Sequence, residues 1–420
     1  MNSFIKKTYP FIQKILTESQ YVLYINLIEK IVFFIFFLIL ARELDKSTYG
    51  LIATVFAFCN LSGSLFDLGF GFYFQRESDS KDIKSEIESA ISFRLFLIIL
   101  FALVIFVYLF SNLLIDPVII SIIGLLVYLN GFNVILNSFL YGRGKYKKSF
   151  IGYLLSRLVY VILIFLFIIL KVQSYLILLT LLISMVIHFF ILLDLCKNEN
   201  LRIRLRFKRA ILMKVLKSSV PIGLGSVFVL MYDRIDVLII ERMISFEAVA
   251  VYAIAYSLYR VPQIISSVIL TPVYTDLSKT YSTNKAIEYH KIIIVFIILI
   301  VVSTISIIFV QLFGKSIILF FYGDKYSSSI PYLKYLVFAI PGLFLNNLTG
   351  VISNSVRKEK IPMISTGITA VVNILVNIIL IPLYGIWGAV AATIMSEYFV
   401  FIIQSFLLIN HNLKHKFMAA

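Results

Sequence analysis

The chain contains twelve apolar runs of about 20 residues each, the length that crosses the hydrocarbon core of a bilayer as a helix. The 420 residues are 60% hydrophobic and 14% charged, and the gaps between the runs are too short for a separate hydrophilic domain. The predicted spans are residues 21–41, 49–70, 90–111, 117–140, 149–170, 175–195, 219–240, 249–274, 292–312, 330–353, 361–382 and 385–408. We therefore predict an all-α integral membrane protein with twelve transmembrane helices.

The two halves of the chain are related by a repeat at an offset of 200 residues. The matching segments are Arg42-Glu43-Leu44 with Arg242-Met243-Ile244, and Tyr49-Gly50-Leu51 with Val249-Ala250-Val251. At an offset of 217, Asn130 matches Asn347, and Asn137-Ser138 matches Asn354-Ser355. So long a period indicates two copies of a several-helix unit. We predict two pseudo-symmetric six-helix bundles, the usual plan of a secondary transporter, and we retain the charged spans 21–41 and 219–240 because the repeat requires them.

Lys and Arg are distributed unevenly between the two sides of these spans. If the N-terminus is inside, the inside segments hold 26 of the 38 Lys and Arg, and the outside loops hold 6. Cytoplasmic loops carry such an excess, so both termini are predicted to be cytoplasmic. The net charge of +16 therefore indicates topology and not binding to nucleic acid.

This topology predicts five segments. Residues 1–20 form an amphipathic helix on the cytoplasmic interface, 21–195 the N-terminal bundle, 196–218 a basic linker, 219–408 the C-terminal bundle and 409–420 a cytoplasmic tail. Residues 197–217 hold eight bases and one acid, which predicts docking on anionic lipid headgroups.

The sequence carries no enzyme motif. The four histidines lack metal-ligand spacing; they are His188, His290, His411 and His415. Cys59 and Cys196 lie in or beside apolar runs and predict no disulfide framework. We predict neither catalysis, nor a metal site, nor a cofactor.

Polar side chains recur along one face of five predicted spans. A charge at the bilayer centre costs about 2.5–3.5 kcal/mol on insertion scales, so such residues face a cavity or a partner. The stripes, each at helical spacing, are Tyr256, Arg260, Gln263, Ser267 and Thr271; Asn60, Ser64 and Asp67; Thr366, Thr369, Asn373 and Asn377; Tyr153, Arg157 and Tyr160; and Asn26 and Lys30. They indicate a shared aqueous cavity, with interhelical hydrogen bonding as the alternative.

Two sets of candidate site residues follow. Those for substrate binding are Lys30, Arg157, Arg234, Arg260, Asn60, Gln263 and Asn373. Those for binding H⁺ or Na⁺ during transport are the carboxylates Glu29, Asp67, Asp233, Asp236 and Glu397. For the 233–236 group the alternative is a charge-compensated cluster, in which a neighbouring aspartate neutralises Arg234.

Short motifs across nearly the whole chain resemble those of one transporter superfamily. They are Leu40-Ala41-Arg42 with Tyr49-Gly50; Phe66-Asp67-Leu68-Gly69 with Arg76-Glu77; Leu312-Phe313-Gly314-Lys315 with Phe321-Tyr322-Gly323 and Tyr326; and Asn373 to Ile381 followed by Pro382-Leu383-Tyr384-Gly385-Ile386-Trp387-Gly388-Ala389. In this order the motifs resemble the polysaccharide-transporter branch of the multidrug/oligosaccharidyl-lipid/polysaccharide (MOP) exporter superfamily, and within it the Wzx-type O-antigen flippases. The chain departs from the pattern at Val249-Ala250, where the family commonly has a glycine.

The resemblance implies a V-shaped pair of six-helix bundles around a central cavity, working by alternating access. The implied cargo is an undecaprenyl-pyrophosphate-linked oligosaccharide of O-antigen or lipopolysaccharide type, moved across the bacterial inner membrane to the periplasmic leaflet. Related lipid flippases carry cavity cations on helices 1, 2 and 8; Lys30 and Arg260 match the first and last, whereas helix 2 has Asn60. Implied partners are membrane lipids, a polysaccharide polymerase and chain-length proteins.

Two other functions are compatible with parts of the sequence. A cation-coupled drug or small-molecule exporter would have the same fold, but acids would dominate its cavity. A membrane polysaccharide polymerase would need a substantial outside catalytic loop, and the outside loops here are short.

Overall fold

The structure is a computed structural model that describes residues 2–112, 114–170, 177–284, 289–358 and 360–418. All regular elements in these ranges are helical. The helices are α1 Asn2–Glu43, α2 Lys46–Asp67, α3 Phe70–Arg76, α4 Ile83–Ser111, α5 Pro117–Gly142, α6 Tyr146–Ile169, α7 Ile177–Asn198, α8 Arg209–Met243, α9 Phe246–Tyr259, α10 Gln263–Asn284, α11 Tyr289–Tyr322, α12 Ser329–Leu336, α13 Ile340–Ser355, α14 Lys360–Tyr384 and α15 Ile386–Met418. Short 3₁₀ turns cover Asp324–Tyr326 and Val337–Ala339.

The helices follow the predicted spans closely. Within the described ranges, eleven helical segments are long and apolar enough to cross a membrane. The remaining predicted span, 219–240, lies inside α8, where Asp233, Arg234 and Asp236 interrupt the apolar run. The all-α membrane class is therefore confirmed. The start of the sixth predicted span, residues 175–176, lies outside the described residues.

Three predicted spans differ from the structure for local reasons. Span 330–353 is two helices, α12 and α13, which the 3₁₀ turn Val337–Ala339 separates. Span 249–274 is two helices, α9 and α10, which separate at Arg260 to Pro262 because proline offers no N–H to continue the helix. Span 49–70 ends earlier, at Asp67, since Leu68 and Gly69 have φ of 50° and 71°. Gly69 needs both the positive φ and the missing side chain, because a Cβ there would overlap the Ser219 carbonyl oxygen.

The chain divides into two compact units. The N unit comprises Met1–Leu44 and Phe58–Ser226, and the C unit comprises Asp45–Ala57 and Val227–Ala420. The division differs from the predicted one because the linker belongs to the N unit and the start of α2 belongs to the C unit. In the C unit Gly50 lies against the Phe246 backbone, and the Tyr49 ring lies 5.9 Å from that of Tyr326.

The repeat at an offset of 200 residues is visible in how helices end and begin. Helix α1 ends at Glu43 and α8 at Met243. The next helices start with side-chain caps at Asp45, which accepts from the Thr48 N–H at 3.0 Å, and at Ser245, which accepts from the Ala248 N–H at 3.2 Å. Such caps satisfy otherwise unpaired N–H groups of a first turn. The two positions thus carry the same local structure with different residues.

Helix α1 runs without a break from Asn2 to Glu43. The predicted interfacial helix, residues 1–20, therefore continues directly into the first predicted span. Its location on the cytoplasmic interface stays a prediction.

Candidate functional site

Two carboxylates of the C unit lie beside Arg260, the residue that follows α9. Its guanidinium forms an ion pair with Asp233 of α8, and its second terminal nitrogen lies 3.5 Å from a carboxylate oxygen of Glu397 on α15. The Tyr256 hydroxyl also donates to Asp233, at 2.6 Å. The break between α9 and α10 places Arg260 there. Arg260 therefore joins three helices of this unit through two carboxylates.

Glu397 is bound by neutral donors as well as by Arg260. It is 1% exposed, and it accepts from the Tyr259 hydroxyl and from the Asn346 amide, each at 3.3 Å. The Gln404 amide donates in turn to Asn346, at 3.3 Å. Such donors stabilise a buried carboxylate in its charged form. Sequence reasoning missed Asn346, although an amide inside an apolar span is a usable signal.

Arg234 and Asp236 have different surroundings, although both lie on α8 beside Asp233. The contact that the sequence left open as the alternative is present, with the Arg234 Nε 3.8 Å from Asp233, but the Arg234 side chain is 46% exposed. Asp236 is buried and accepts from the Tyr252 hydroxyl and, at 2.8 Å, from the Val237 N–H. Among the residues described, no cation lies within 4.0 Å of Asp236. Of the two arginines that contact Asp233, Arg260 is therefore the closer counter-charge.

The other candidates of the C unit are hydrogen-bonded or lie apart from this cluster. Asn373 is buried and donates to Ser396 at 2.9 Å, which links α14 to α15. Asn377 donates to Asn373 at 3.0 Å. Gln263 is partly exposed at the start of α10, and its carbonyl accepts from Ser267. For Asn373 the geometry is that of interhelical hydrogen bonding, which the sequence left open as the alternative.

The N unit holds a buried arginine in different surroundings. Arg157 of α6 is 4% exposed, donates to the Ser184 hydroxyl of α7 at 3.0 Å, and lies 4.6 Å from the Tyr153 ring centroid. Its Nε atom has no hydrogen-bond partner. Within the ranges that the structure describes, no carboxylate lies within 4.0 Å of this guanidinium.

Further polar atoms surround Arg157 without partners. The buried Tyr160 hydroxyl and His188 Nε2 make no hydrogen bond, and the His188 ring lies 5.4 Å from that of Tyr153. Buried polar groups nearly always find partners, so this cluster beside a cation is suited to a ligand rich in acceptors. His188, a lone histidine in an apolar run, was not among the predicted site residues.

The remaining candidates of the N unit lie on α1 and α2. Glu29 of α1 is partly buried and within electrostatic range of Arg157 and Lys30. Lys30 and Asn60 are both exposed. The structure therefore brings Glu29, Lys30 and Arg157 into one neighbourhood.

Asp67 of α2 is bound to a residue that sequence reasoning missed. Arg94 of α4 is fully buried, lies 2.7 Å from Asp67, and donates to the carbonyl oxygens of Phe66 at 3.0 Å and Tyr128 at 3.3 Å. A Cβ on Gly131 would overlap the Arg94 guanidinium. Arg94 is the lone base inside the predicted span 90–111, and this feature of the sequence could have indicated a buried ion pair.

Comparisons with known proteins agree with this architecture. A family model described as "Polysaccharide biosynthesis protein" matches residues 15–278, and one described as "MatE" matches residues 221–379. The chain is 30% identical over 151 residues to the uncharacterized membrane protein MJ1068 of Methanocaldococcus jannaschii. That match spans 36% of this chain and 29% of the relative's length.

Two solved structures share the fold at low identity. The lipid II flippase MurJ, in an inward closed conformation, matches with a TM-score of 0.72 and 16% identity over 94% of this chain and 87% of its own. An inward-facing multidrug resistance MATE family transporter of the MOP superfamily matches with a TM-score of 0.68 and 15% identity over 90% of this chain and 94% of its own. The predicted twelve-helix fold with two bundles and the MOP resemblance are thereby confirmed. Because the first family model covers more than half of the chain, the chain belongs to the polysaccharide biosynthesis protein family, and its described helices are those of a multi-pass membrane protein.

Proposed function

We propose that this chain is a flippase for an undecaprenyl-pyrophosphate-linked oligosaccharide, the repeat unit of O-antigen or of a related surface polysaccharide. It would move the cargo by alternating access from the cytoplasmic to the periplasmic leaflet of the bacterial inner membrane, with both termini cytoplasmic. The observation that carries the proposal is the buried Arg157, which has no carboxylate within 4.0 Å among the described residues. Membership of a polysaccharide biosynthesis family supports the choice of cargo.

An unpaired buried guanidinium is costly, and inside a membrane it is a candidate for function. A pyrophosphate offers several charged acceptor oxygens, which arginine binds through directed N–H groups. The exposed Lys30 would meet the headgroup first, and the free Nε of Arg157 would take one of its oxygens. The hydroxyl of Tyr160 and the amide of Asn60 suit the remaining phosphate oxygens or the sugar hydroxyls.

Arg260 fits a different role in this proposal. Its charge is already offset by Asp233 and Glu397, so binding an anion would require those contacts to break. Arg234, whose side chain is 46% exposed, is the better candidate in the C unit for contact with the cargo.

Coupling to H⁺ or Na⁺ is most simply assigned to Asp236. Of the five candidate carboxylates, Asp67, Asp233 and Glu397 have an arginine within 4.0 Å, and Glu29 is attracted by Arg157 and Lys30. Asp236 is held by the Tyr252 hydroxyl, which lies 2.9 Å from the Thr393 hydroxyl. Oxygen groups of this kind suit a proton or a sodium ion.

The proposal is tested by translocation in proteoliposomes. A fluorescent undecaprenyl-pyrophosphate-linked oligosaccharide becomes inaccessible to a membrane-impermeant quencher when it crosses the bilayer. We expect wild type to translocate it and Arg157→Gln to be at least about tenfold slower, because a hydrogen bond to a charged group is worth ~1.5–3 kcal/mol. Arg242→Gln, which removes an exposed base, is the matched control. No translocation by wild type, or equal rates for wild type and Arg157→Gln, would overturn the proposal.

A cation-coupled exporter is the second candidate, and a specific observation favours it. The C-unit cluster has three carboxylates and two guanidiniums, and the MatE family model covers four of these five residues. An excess of acid suits a cationic cargo. The same proteoliposomes, loaded with a cationic dye under a proton or sodium gradient, would show dye transport and no glycolipid translocation if this function is correct.

A further inference from the structure

Residues 201–208 join α7 to α8 without regular structure, and the N unit fixes their backbone. We call this segment the basic strap. The Arg204 N–H donates to the Glu88 carboxylate at 3.0 Å, and the Ser92 hydroxyl donates to the Arg206 carbonyl at 3.2 Å. Ile203 packs against the core of the unit. The path of the strap over α4 is therefore fixed by contacts that use none of its charged side chains.

The charged side chains of the strap take no part in these contacts. Its four bases are exposed, and no carboxylate within the part of the chain that the structure describes lies within 4.0 Å of them; they are Arg202, Arg204, Arg206 and Lys208. Two large apolar residues alternate with them and are exposed too, Leu205 at 68% and Phe207 at 58%. A surface that is both cationic and apolar suits an amphiphilic partner with negative charge.

The position along α4 at which the strap crosses this helix indicates the chemical class of the partner. The contact residues Glu88 and Ser92 are one helical turn apart, and the Phe207 ring lies 6.5 Å from that of Phe93. Further along α4 the large apolar side chains turn outward, beginning with Leu95 and Phe96, the latter 62% exposed. At 1.5 Å per residue, Phe96 is about 6 Å beyond Ser92. The strap thus lies where the polar start of α4 gives way to a surface suited to lipid.

We propose that the basic strap binds anionic phospholipid headgroups, with its bases on the phosphates and with Leu205 and Phe207 beside the upper ends of the acyl chains. Basic segments next to a membrane-spanning helix are attracted to anionic leaflets, and their apolar neighbours add buried area. An acidic soluble protein would satisfy the charges, but Leu205 and Phe207 lie beside the outward-facing apolar side chains of α4, which lipid covers more readily. The strap would bind lipids of the surrounding membrane regardless of what the protein transports. The proposal is therefore independent of the flippase function.

Energy transfer from a single dye tests the proposal. Both native cysteines are fully buried, so a Leu205→Cys variant accepts a dye at that site. The labelled full-length protein is reconstituted in vesicles that contain either headgroup-labelled phosphatidylglycerol or headgroup-labelled phosphatidylcholine at the same mole fraction. We expect transfer to the anionic lipid to be at least about twofold higher, because each base near the surface favours it.

Two variants keep the result interpretable. Replacing the four bases by Gln should bring the ratio of transfer to one, and replacing the three arginines by Lys should preserve it, because the charge remains. Among the described residues, neither change removes a side-chain hydrogen bond or an ion pair. A ratio of one in the labelled parent, or a ratio that survives the Gln replacement, would overturn the proposal. Dye that stays solvent-exposed in both lipids would point instead to a soluble acidic partner.

Discussion

Arg157 is buried in the N unit and Arg260 is mostly buried in the C unit, and the two arginines are surrounded differently. In the C unit, Arg260 contacts Asp233 and Glu397, and tyrosine and asparagine side chains complete the network. In the N unit, Arg157 has a serine hydroxyl, an aromatic face and a nitrogen without a partner. A charge in contact with its counter-charges holds helices together, whereas Arg157, which Glu29 attracts only from beyond 4.0 Å, is available for an anionic ligand. Equal residue types in corresponding halves therefore need not share a role.

The largest effect is expected from Arg260→Gln. It leaves Asp233 and Glu397 without their shared cation, and breaking a buried pair in this way costs about 3–5 kcal/mol. Thermal unfolding of the purified variant should show this loss, and adding Glu397→Gln should recover part of it. Arg234→Gln, at a 46% exposed side chain, is the control and should cost less than about 1 kcal/mol. Equal losses for Arg260→Gln and Arg234→Gln would refute the network.

Asp67→Asn should have an intermediate effect. Arg94 would keep the Phe66 and Tyr128 carbonyl oxygens as acceptors but lose its counter-charge. Because the Asp67 side chain is 48% exposed, we expect a loss of about 1–2 kcal/mol of stability. The same variant should keep the ion dependence of transport. A stable variant with altered ion dependence would show instead that Asp67 is a coupling residue.

Arg157→Gln should change stability by less than about 1 kcal/mol, and an increase is as compatible with its surroundings as a decrease. The amide can still donate to Ser184, and no carboxylate within 4.0 Å loses a partner in the described structure. Unfolding midpoints in the same detergent as for Arg260→Gln make the comparison direct. If Arg157→Gln lowers the free energy of unfolding as much as Arg260→Gln does, then Arg157 also stabilises the fold.

The smallest effect concerns Glu199, in the loop after α7. Partial burial raises the pKa of its carboxyl, but hydrogen bonds from Lys148 and Lys145 outweigh burial and lower the pKa below its ordinary value. Its stabilisation is thus complete above about pH 4.5 and is lost as the pH falls through the lower folded-state value. Both lysines are more than a third exposed, so the contribution should be under about 1 kcal/mol. Unfolding of Glu199→Gln and wild type should differ at pH 7 and converge at pH 3; a constant difference would contradict this.

Much of the fold was predictable because the length of an apolar run responds to the bilayer directly. Ten of the twelve spans needed nothing else, whereas spans 21–41 and 219–240 also needed the repeat. The ends of α2 and α9 were harder, since they depend on two residues of positive φ at Leu68-Gly69 and on the break before Pro262. Such features come from backbone packing, which leaves little trace in hydropathy.

The site residues were predictable as types but not as partners. Arg157 and Arg260 were both predicted to bind substrate, because each is a base on a polar stripe. Whether a base has a counter-charge depends on helices that are distant in the sequence. Arg260 meets Glu397 across 137 positions, and Arg94 meets Asp67 across 27. Spacing within one helix cannot indicate such contacts.

Binding of undecaprenyl pyrophosphate to the purified protein, measured with Arg157→Gln beside the double variant Arg260→Gln/Glu397→Gln, tests the contrast most directly. We expect Arg157→Gln to weaken binding at least about tenfold, because it removes a charged donor to the headgroup. The double variant, which removes one charge of each sign from the C unit, should stay within about threefold of wild type. Unchanged binding by Arg157→Gln together with a large loss in the double variant would contradict the assignment of the headgroup to Arg157.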